Sequence, residues 1–267
     1  LDALREQRVE KIVYASTSGT IGISKDAHTI ATDDSDTVEH IAHRWPYYLS
    51  KIYAERVVHR FMDTHGMPIV TMRPSLLLGP GDHQESSTGD IVDFLARKIP
   101  TTPSGGIAFV DVRDAADAFI LAMDQAQPGS SYLVNACNLT LEDLFQRLED
   151  LSGVRAPRLQ LPEKTMLAGV RFFGQAMKAL GVESSVDPVS VDMAQHFWYV
   201  DAARAKLELG WSPRSSNDTL RDTIKDIRER RPELDPDVQL NRRMPPSEFV
   251  PEETLSFLRE IQKYPEP

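Results

Sequence analysis

Apolar residues in the first half of the chain fall either into short continuous runs or into longer stretches with helical spacing. Three short runs have the composition of strands that are buried on both faces: KIVYAS (11–16), PIVTMRP (68–74) and IAFVDV (107–112). Between the first two runs, apolar side chains recur every three or four positions over residues 46–65, which predicts a helix that Pro46 starts and Gly66 ends. A strand, a helix and a second strand in this order are typical of a parallel sheet. We therefore expect an α/β fold in which the three runs form parallel strands.

The pattern continues beyond the third run. Residues 113–126 have helical spacing, and residues 130–136 have the composition of a further strand. Residues 140–153 predict a helix with Thr140 as its N-cap. The polar and acidic segment 24–44 shows no periodicity, so we expect it to be a loop.

The chain changes character after residue 153, where helical and loop-like segments replace strand signals. We expect residues 1–153 to form a partial domain built on the parallel sheet, and residues 154–230 to form a smaller, mostly helical substrate-binding lobe. Residues 231–267 are rich in proline and charge, which predicts an extended tail with a terminal helix over 252–264.

The composition narrows the range of partners. The 267 residues carry a formal net charge of −10, which argues against a nucleic-acid partner because such proteins cluster Lys and Arg against phosphates. No apolar run approaches the roughly 20 residues that span a bilayer, so we expect no integral membrane segment. Cys137 is the single cysteine, which excludes an internal disulfide and a Cys-rich metal site and suits a reducing compartment. We therefore expect a cytoplasmic protein without a bound metal.

A tyrosine and a lysine lie four positions apart in WPYYLSK (45–51), at the predicted start of the first long helix. Tyr47 falls in the first turn and Lys51, at i+4, shares its face. An ammonium near a phenol favours the ionised phenolate. The first strand ends in ASTSGT (15–20), whose hydroxyls lie at the sheet edge where ligands of parallel α/β sheets bind. Such a hydroxyl can hold a substrate oxygen while the tyrosine transfers a proton, which is the chemistry of carbonyl reduction or alcohol oxidation. A cofactor must carry the hydride, because no side chain can.

The order and spacing of several segments resemble the extended branch of the short-chain dehydrogenase/reductase superfamily, from residue 1 to about 230. They are VYASTSGTIG (13–22), the Y-x-x-x-K pair, TMRPSLLLGPGD (71–82), FVDVRDAADAFILAM (109–123) and ARAKLELGWSPR (203–214). Within this branch the sequence is most similar to dihydroflavonol-reductase, hydroxysteroid-dehydrogenase and hopanoid-associated sugar-epimerase-like members. The resemblance implies a Rossmann-like sheet and NAD or NADP as the cofactor.

The resemblance also assigns roles to single residues. It implies that Tyr47 is the general acid/base, that Lys51 binds the nicotinamide ribose and tunes Tyr47, and that Thr17 completes the catalytic triad. Ser16 and Ser18 are the register alternatives to Thr17. The residues implied to contact the cofactor are Ala15, Ser16, Tyr47, Lys51, Pro74, Ser75 and Leu76, the last three bordering the nicotinamide.

Other polar and aromatic residues have simpler structural interpretations. Asp111 and Asp114 could form an acid pair, but capping of a helix start explains them better. His43 and His196 are isolated in the sequence, and Trp198 and Trp211 are expected to be core aromatics. Together these residues predict no further catalytic or metal site.

One part of the family pattern is absent from the sequence. The chain begins without Met, inside an apparent helix, and holds neither a G-x-x-G-x-x-G fingerprint nor the residue that selects NAD or NADP. The resemblance implies that residues 1–267 are a piece of a longer protein, without the first four strands and with only the nicotinamide half of the pocket. We expect this piece alone to bind NAD or NADP weakly, because a glycine-rich turn and a helix N-terminus normally hold the pyrophosphate.

We predict a nicotinamide-dependent oxidoreductase that interconverts a ketone and a secondary alcohol on a small-molecule substrate. The alternative is a nucleotide-sugar epimerase or dehydratase with the same triad, and a second alternative is a non-catalytic coenzyme sensor or interaction module. A candidate lid, 165–199, carries apolar side chains that favour a smaller or more apolar substrate than a nucleotide sugar: Met166, Leu167, Phe172, Phe173 and Met177. The resemblance further implies that the helix carrying Tyr47 pairs with its copy in a homodimer.

Overall fold

The computed structural model describes residues 1–159 and 188–236. The chain divides into two compact units, Leu1–Asp226 and Ile227–Pro267. The predicted tail helix and most of the candidate lid lie outside the described residues. The boundaries drawn from the sequence at residues 153 and 230 therefore stay predictions.

Strands and helices follow one another through the first unit. The strands are β1 (Ile12–Ala15), β2 (Ile69–Pro74), β3 (Leu76–Leu78), β4 (Gly106–Asp111), β5 (Ser131–Val134) and β6 (Cys137–Thr140). The helices of the described ranges are α1 (Asp2–Glu6), α2 (Glu39–Ala42), α3 (Pro46–His65), α4 (Gly89–Leu95), α5 (Val112–Gln125), α6 (Leu141–Ser152), α7 (Pro188–Met193), α8 (Ala203–Leu209) and α9 (Ser216–Arg230). Short 3₁₀ turns cover Ser18–Thr20 and Pro232–Leu234. The α/β fold class is confirmed.

A parallel sheet with the strand order β1-β2-β5 forms the frame of the first unit. Ile12 lies opposite Ile69, and Thr71 lies opposite Ser131. Every residue of β2 is buried. This burial explains why its sequence is a nearly continuous apolar run rather than an alternating one.

The strand at Gly106–Asp111 lies in a second sheet, of order β3-β4-β6, which corrects one expectation. β3 and β4 are parallel, whereas β4 and β6 are antiparallel. The expectation that run 107–112 joins runs 11–16 and 68–74 in one parallel sheet is therefore wrong, because β5 occupies the free edge of β2. An apolar run predicts a buried strand, but it carries no information about which strand will pair with it.

Local signals place the helix ends where the sequence predicts them. Pro46 is at the first turn of α3, and the helix ends at Gly66, which has a φ of 60° in the left-handed region that favours glycine. The Thr140 side chain accepts a hydrogen bond from the backbone N–H of Asp143 and so caps α6. Segment 24–44, expected to be a loop, contains the short helix α2.

Helix α5 joins the two sheets through an apolar core. It contacts β1, β2, β3 and β4, and its alanines pack in one cluster with strand residues and Trp211. The buried Trp211 indole donates a hydrogen bond to the Asp114 carbonyl at 2.8 Å, and its core position is as predicted. Asp111 caps α5 by accepting from the Arg113 N–H, whereas the Asp114 carboxylate accepts from Arg214. The capping interpretation is therefore confirmed for Asp111, and Asp114 serves as an ion-pair partner.

Candidate active site

The loop after β1 places three hydroxyls at the carboxyl edge of the parallel sheet. Ser16 and Ser18 are buried, whereas Thr17 is half-buried and the preceding Ala15 is exposed. Thr17 Oγ1 accepts a hydrogen bond from the backbone N–H of Gly19 at 3.3 Å and so caps the short turn Ser18–Thr20. This contact fixes Thr17 at the start of the turn.

Tyr47 and Lys51 lie side by side on the first turns of α3. Tyr47 is 57% exposed. The Lys51 Nζ atom lies 5.7 Å from the centroid of the Tyr47 ring, a cation–π contact. The pair therefore shares one face of the helix, as its i,i+4 spacing predicts.

The neighbouring Tyr48 has a different environment, although it precedes Lys51 by only three positions. Its ring lies edge-on to Tyr47 at 5.0 Å and tilted against Trp198 at 4.9 Å, and Trp45 stacks on Trp198 at 5.5 Å. Burial, and next the charge of Tyr47, raise the pKa of Tyr48 to about 12. The Tyr48 hydroxyl therefore resists ionisation, and the exposed phenol of the pair is that of Tyr47.

Gly19 lets the turn after β1 approach the first turn of α3 closely. A Cβ atom at this position would collide with the Tyr48 ring. The turn Ser18–Thr20 and α3 are in contact. The structure thus brings the turn capped by Thr17 against the helix that carries Tyr47.

A buried carboxylate that the sequence analysis missed lies beneath this loop. Glu55 on α3 accepts hydrogen bonds from Ser16, from Thr20 at 3.0 Å, and from Arg73 at 2.9 and 2.8 Å. Burial raises its pKa, but the hydrogen bonds and charge of Arg73, with the two hydroxyls, outweigh burial and hold the pKa of Glu55 below its usual value. A charged residue inside the apolar run PIVTMRP was the available signal, because a buried charge requires a partner.

The predicted nicotinamide border lies where the chain leaves the first sheet. Pro74 ends β2 and Leu76 starts β3, with Ser75 between them. Ser75 is buried, and its hydroxyl oxygen lies 3.0 Å from Asn135 Oδ1 and 3.2 Å from the Val134 carbonyl oxygen, within hydrogen-bond distance of both acceptors. The segment is at the carboxyl end of β2, and its contact with a nicotinamide stays a prediction.

The predicted isolated histidines do not extend the site. His196 is fully buried, with its Nδ1 2.9 Å from the Asp192 carbonyl, and burial lowers its pKa. Residues 1–159 and 188–236 contain no group of three or more His, Cys, Asp or Glu side chains that could hold a metal ion. In the same ranges, no helix combines the length and apolar character that crossing a bilayer requires.

Comparison with known proteins gives a consistent family assignment. The putative dihydroflavonol 4-reductase of Synechocystis sp. is 28% identical over 221 residues, which cover 81% of this chain and 64% of that protein. Sterol demethylase protein B of Methylococcus capsulatus is 27% identical over 236 residues, covering 85% and 69% respectively. The chain therefore spans about two thirds of the length of these relatives.

Solved structures show the same fold. The crystal structure of gox2253 aligns with a TM-score of 0.70 at 27% identity, covering 86% of this chain and 69% of that one. PA4631, a nucleoside-diphosphate-sugar epimerase from Pseudomonas aeruginosa, aligns with a TM-score of 0.69 at 21% identity, covering 86% and 70%. Residues 1–136 match the NAD dependent epimerase/dehydratase family, which is half of the chain. The resemblance to extended short-chain dehydrogenases is confirmed, and the chain belongs to the NAD dependent epimerase/dehydratase family.

Proposed function

We propose that the protein is an NAD- or NADP-dependent oxidoreductase that interconverts a ketone and a secondary alcohol, with Thr17, Tyr47 and Lys51 as its triad. The observation that carries this proposal is the exposed phenol of Tyr47 beside the Lys51 ammonium at the carboxyl edge of a parallel sheet. Partial burial of Tyr48 and burial of Ser16 and Ser18 favour Tyr47 and Thr17 over their neighbours. Several relatives are named as reductases, including the dihydroflavonol 4-reductase of Zea mays, which supports the reductase reading.

The residues present fit the nicotinamide end of such a cofactor. An exposed phenol, an ammonium and a half-buried hydroxyl offer donors for a ribose and for a substrate oxygen. Pro74, Ser75 and Leu76 are assigned to the border of the nicotinamide ring in this proposal. When bound, the cofactor gives or takes a hydride.

The chain's own groups handle the proton. In reduction, the Tyr47 hydroxyl donates its proton to the carbonyl oxygen of the substrate, and in oxidation the Tyr47 phenolate accepts it. The Lys51 ammonium, beside the Tyr47 ring, donates to a ribose hydroxyl. The Thr17 hydroxyl donates to the same substrate oxygen and so orients it.

The test is Tyr47→Phe in the full protein, after a screen of ketones and alcohols with both coenzymes. We expect kcat to fall by about a hundred- to ten-thousand-fold, because general acid–base catalysis contributes that much. Tyr53→Phe is the matched control, since Tyr53 lies exposed on the same helix and, among the described residues, its hydroxyl hydrogen-bonds to Glu39 alone. Unchanged turnover in Tyr47→Phe would refute the triad.

A nucleotide-sugar epimerase or dehydratase is the second candidate, favoured by the family match and by the fold shared with PA4631. It would use the same three residues but return the hydride to its own substrate. Formation of an epimer without net change in NADH absorbance would identify it. The apolar lid residues that favour the reductase lie outside the described residues.

Two further parts of the proposal concern the location of the protein in the cell and its oligomeric state. We propose a cytoplasmic homodimer that pairs through α3, which exposes Val57. Light scattering on the full protein tests this, and a monomer at micromolar concentration would refute the dimer.

A further inference from the structure

A buried carboxylate on α3, the helix of Tyr47 and Lys51, contacts the loop after β1 that carries Thr17. Glu55 is 2% exposed, and four donor atoms converge on it from the loop after β1 and from β2. Its position follows Tyr47 and Lys51 at i+8 and i+4, so all three project along one side of α3. The helix that carries the proposed acid therefore also carries the acceptor for the loop.

The hydroxyls that Glu55 holds flank Thr17 in the chain. Ser16 is its direct neighbour. The Thr20 hydroxyl donates to Glu55 Oε1 at 3.0 Å, and the Thr20 backbone N–H donates to the Thr17 carbonyl at 3.2 Å. Glu55 thus contacts the residue before Thr17 and, through Thr20, the backbone of Thr17 itself.

Stability alone is a weak reason for this arrangement. A buried ion pair such as Glu55–Arg73 often contributes no more than a well-packed apolar pair of similar volume, because both charges lose their hydration. An apolar pair could hold α3 against β2 but could not accept hydrogen bonds from two hydroxyls. The carboxylate, by contrast, fixes the orientation of the Ser16 and Thr20 hydroxyls.

We propose that Glu55 is a positioning residue, which sets the Thr17 hydroxyl relative to the Tyr47 phenol by holding Ser16 and Thr20. This inference rests on the proposed function for its catalytic consequence. Glu55 itself is buried and contacts neither substrate nor cofactor in this scheme. Arg73 forms an ion pair with Glu55 and donates to both of its carboxylate oxygens.

The test compares two double variants of the full protein that both remove the ion pair. Glu55→Met/Arg73→Met removes the acceptor, whereas Glu55→Gln/Arg73→Gln keeps an amide oxygen that can accept from both hydroxyls. Glu39→Gln/Arg56→Gln is the matched control, because it removes a partly exposed ion pair that links α3 to α2. All variants are first checked for an unchanged unfolding midpoint.

Two readouts separate positioning from structure. Amide hydrogen exchange follows the N–H groups of Thr20 and Gly22, which bond the carbonyls of Thr17 and Ser18. In the methionine variant we expect exchange at these amides to accelerate about tenfold or more through local opening, with the sheet unaffected. We also expect kcat to fall by about ten- to a hundredfold with KM within twofold, since small misplacements cost that much. The glutamine variant should restore both.

Several results would overturn the inference. Unchanged exchange at Thr20 and Gly22 in the methionine variant refutes it, as does an equal loss of kcat in both double variants. If the methionine variant does not fold, Ser16→Ala/Thr20→Val keeps the ion pair and removes the donors, and it must then show the same exchange and kcat changes. An absence of turnover in the wild-type protein counts against the proposed function, while the exchange measurement still decides the role of Glu55.

Discussion

Asp33 gives the sharpest prediction about stability. Its Oδ1 accepts a hydrogen bond from the backbone N–H of Leu133 at 2.6 Å, so the carboxylate covers part of the outer edge of β5. Burial raises the pKa of Asp33 from 3.8 to about 6, against the opposing effects of that hydrogen bond and of the Arg204 and Arg73 charges. The ionised form is therefore less stable in the folded protein than in the unfolded chain.

The sign of the pH dependence follows from these two values. Well below pH 3.8 the carboxyl is protonated in both states, and its contribution to the free energy of unfolding is fully present. As pH rises, the unfolded chain ionises first and the folded protein only near pH 6, so this contribution is lost over that window. At 1.36 kcal/mol per unit of pKa, the loss is at most about 3 kcal/mol at pH 8 and about half of that at pH 5, and solvent screening of the half-buried carboxylate reduces both values.

Asp33→Asn isolates this term, because its amide oxygen can still accept from the Leu133 N–H but cannot ionise. We expect the variant to be more stable than the wild type by up to about 3 kcal/mol at pH 8 and by about half as much at pH 5. Urea unfolding followed by circular dichroism at both pH values measures the difference. Asp36→Asn is the control, since it removes the same charge from an exposed position of the same segment. A gain that is equal at both pH values, or a loss at pH 8, would refute the reasoning.

Two further predictions test the packing of Gly19 against Tyr48 and the expectation that residues 1–267 hold only the nicotinamide half of the cofactor pocket. Gly19→Ala places a Cβ against the Tyr48 ring, so we expect a loss of about 1–3 kcal/mol in the free energy of unfolding and lower turnover. Gly89→Ala is the control, because a Cβ at Gly89 meets nothing within 4 Å. A polypeptide of residues 1–267 should show no micromolar binding of NADH or NADPH in a fluorescence titration, because its sequence holds no glycine fingerprint for the pyrophosphate. Micromolar affinity would mean that other residues hold the pyrophosphate.

The features that the sequence predicts well are those fixed by neighbours along the chain. Pro46 and Gly66 bound α3, and Thr140 caps α6, because each acts on backbone groups within one helical turn. The i,i+4 spacing likewise places Lys51 beside Tyr47 without any knowledge of the rest of the fold. These signals act within one helical turn, so the sequence alone is enough to predict the features that depend on them.

The features that the sequence does not predict depend on pairing across the fold. The apolar run of β4 looks like that of β1, yet β4 pairs with β3 and β6 in a separate sheet. Glu55 and Arg73 are eighteen positions apart, and their ion pair requires α3 to lie across β2. Leu133 receives its hydrogen-bond partner from a segment a hundred positions earlier. No spacing rule connects residues at these distances.

The two consecutive tyrosines of α3 show how such long-range contacts assign local roles. Consecutive residues on a helix point about 100° apart, so the sequence predicts that the two rings diverge. It does not predict which of the two rings faces the protein interior. Contacts from elsewhere in the chain decide this, because the bare backbone of Gly19 admits the Tyr48 ring and Trp198 packs against it, whereas Tyr47 stays exposed beside Lys51. Two turns later, Glu55 holds the other side of the same loop. The helix is therefore fixed against the loop at two points that bracket Lys51, and neither its rotation nor its position along the axis can change without breaking one of them. A proton donor on α3 and a hydroxyl on the loop need that constraint to meet at one substrate oxygen.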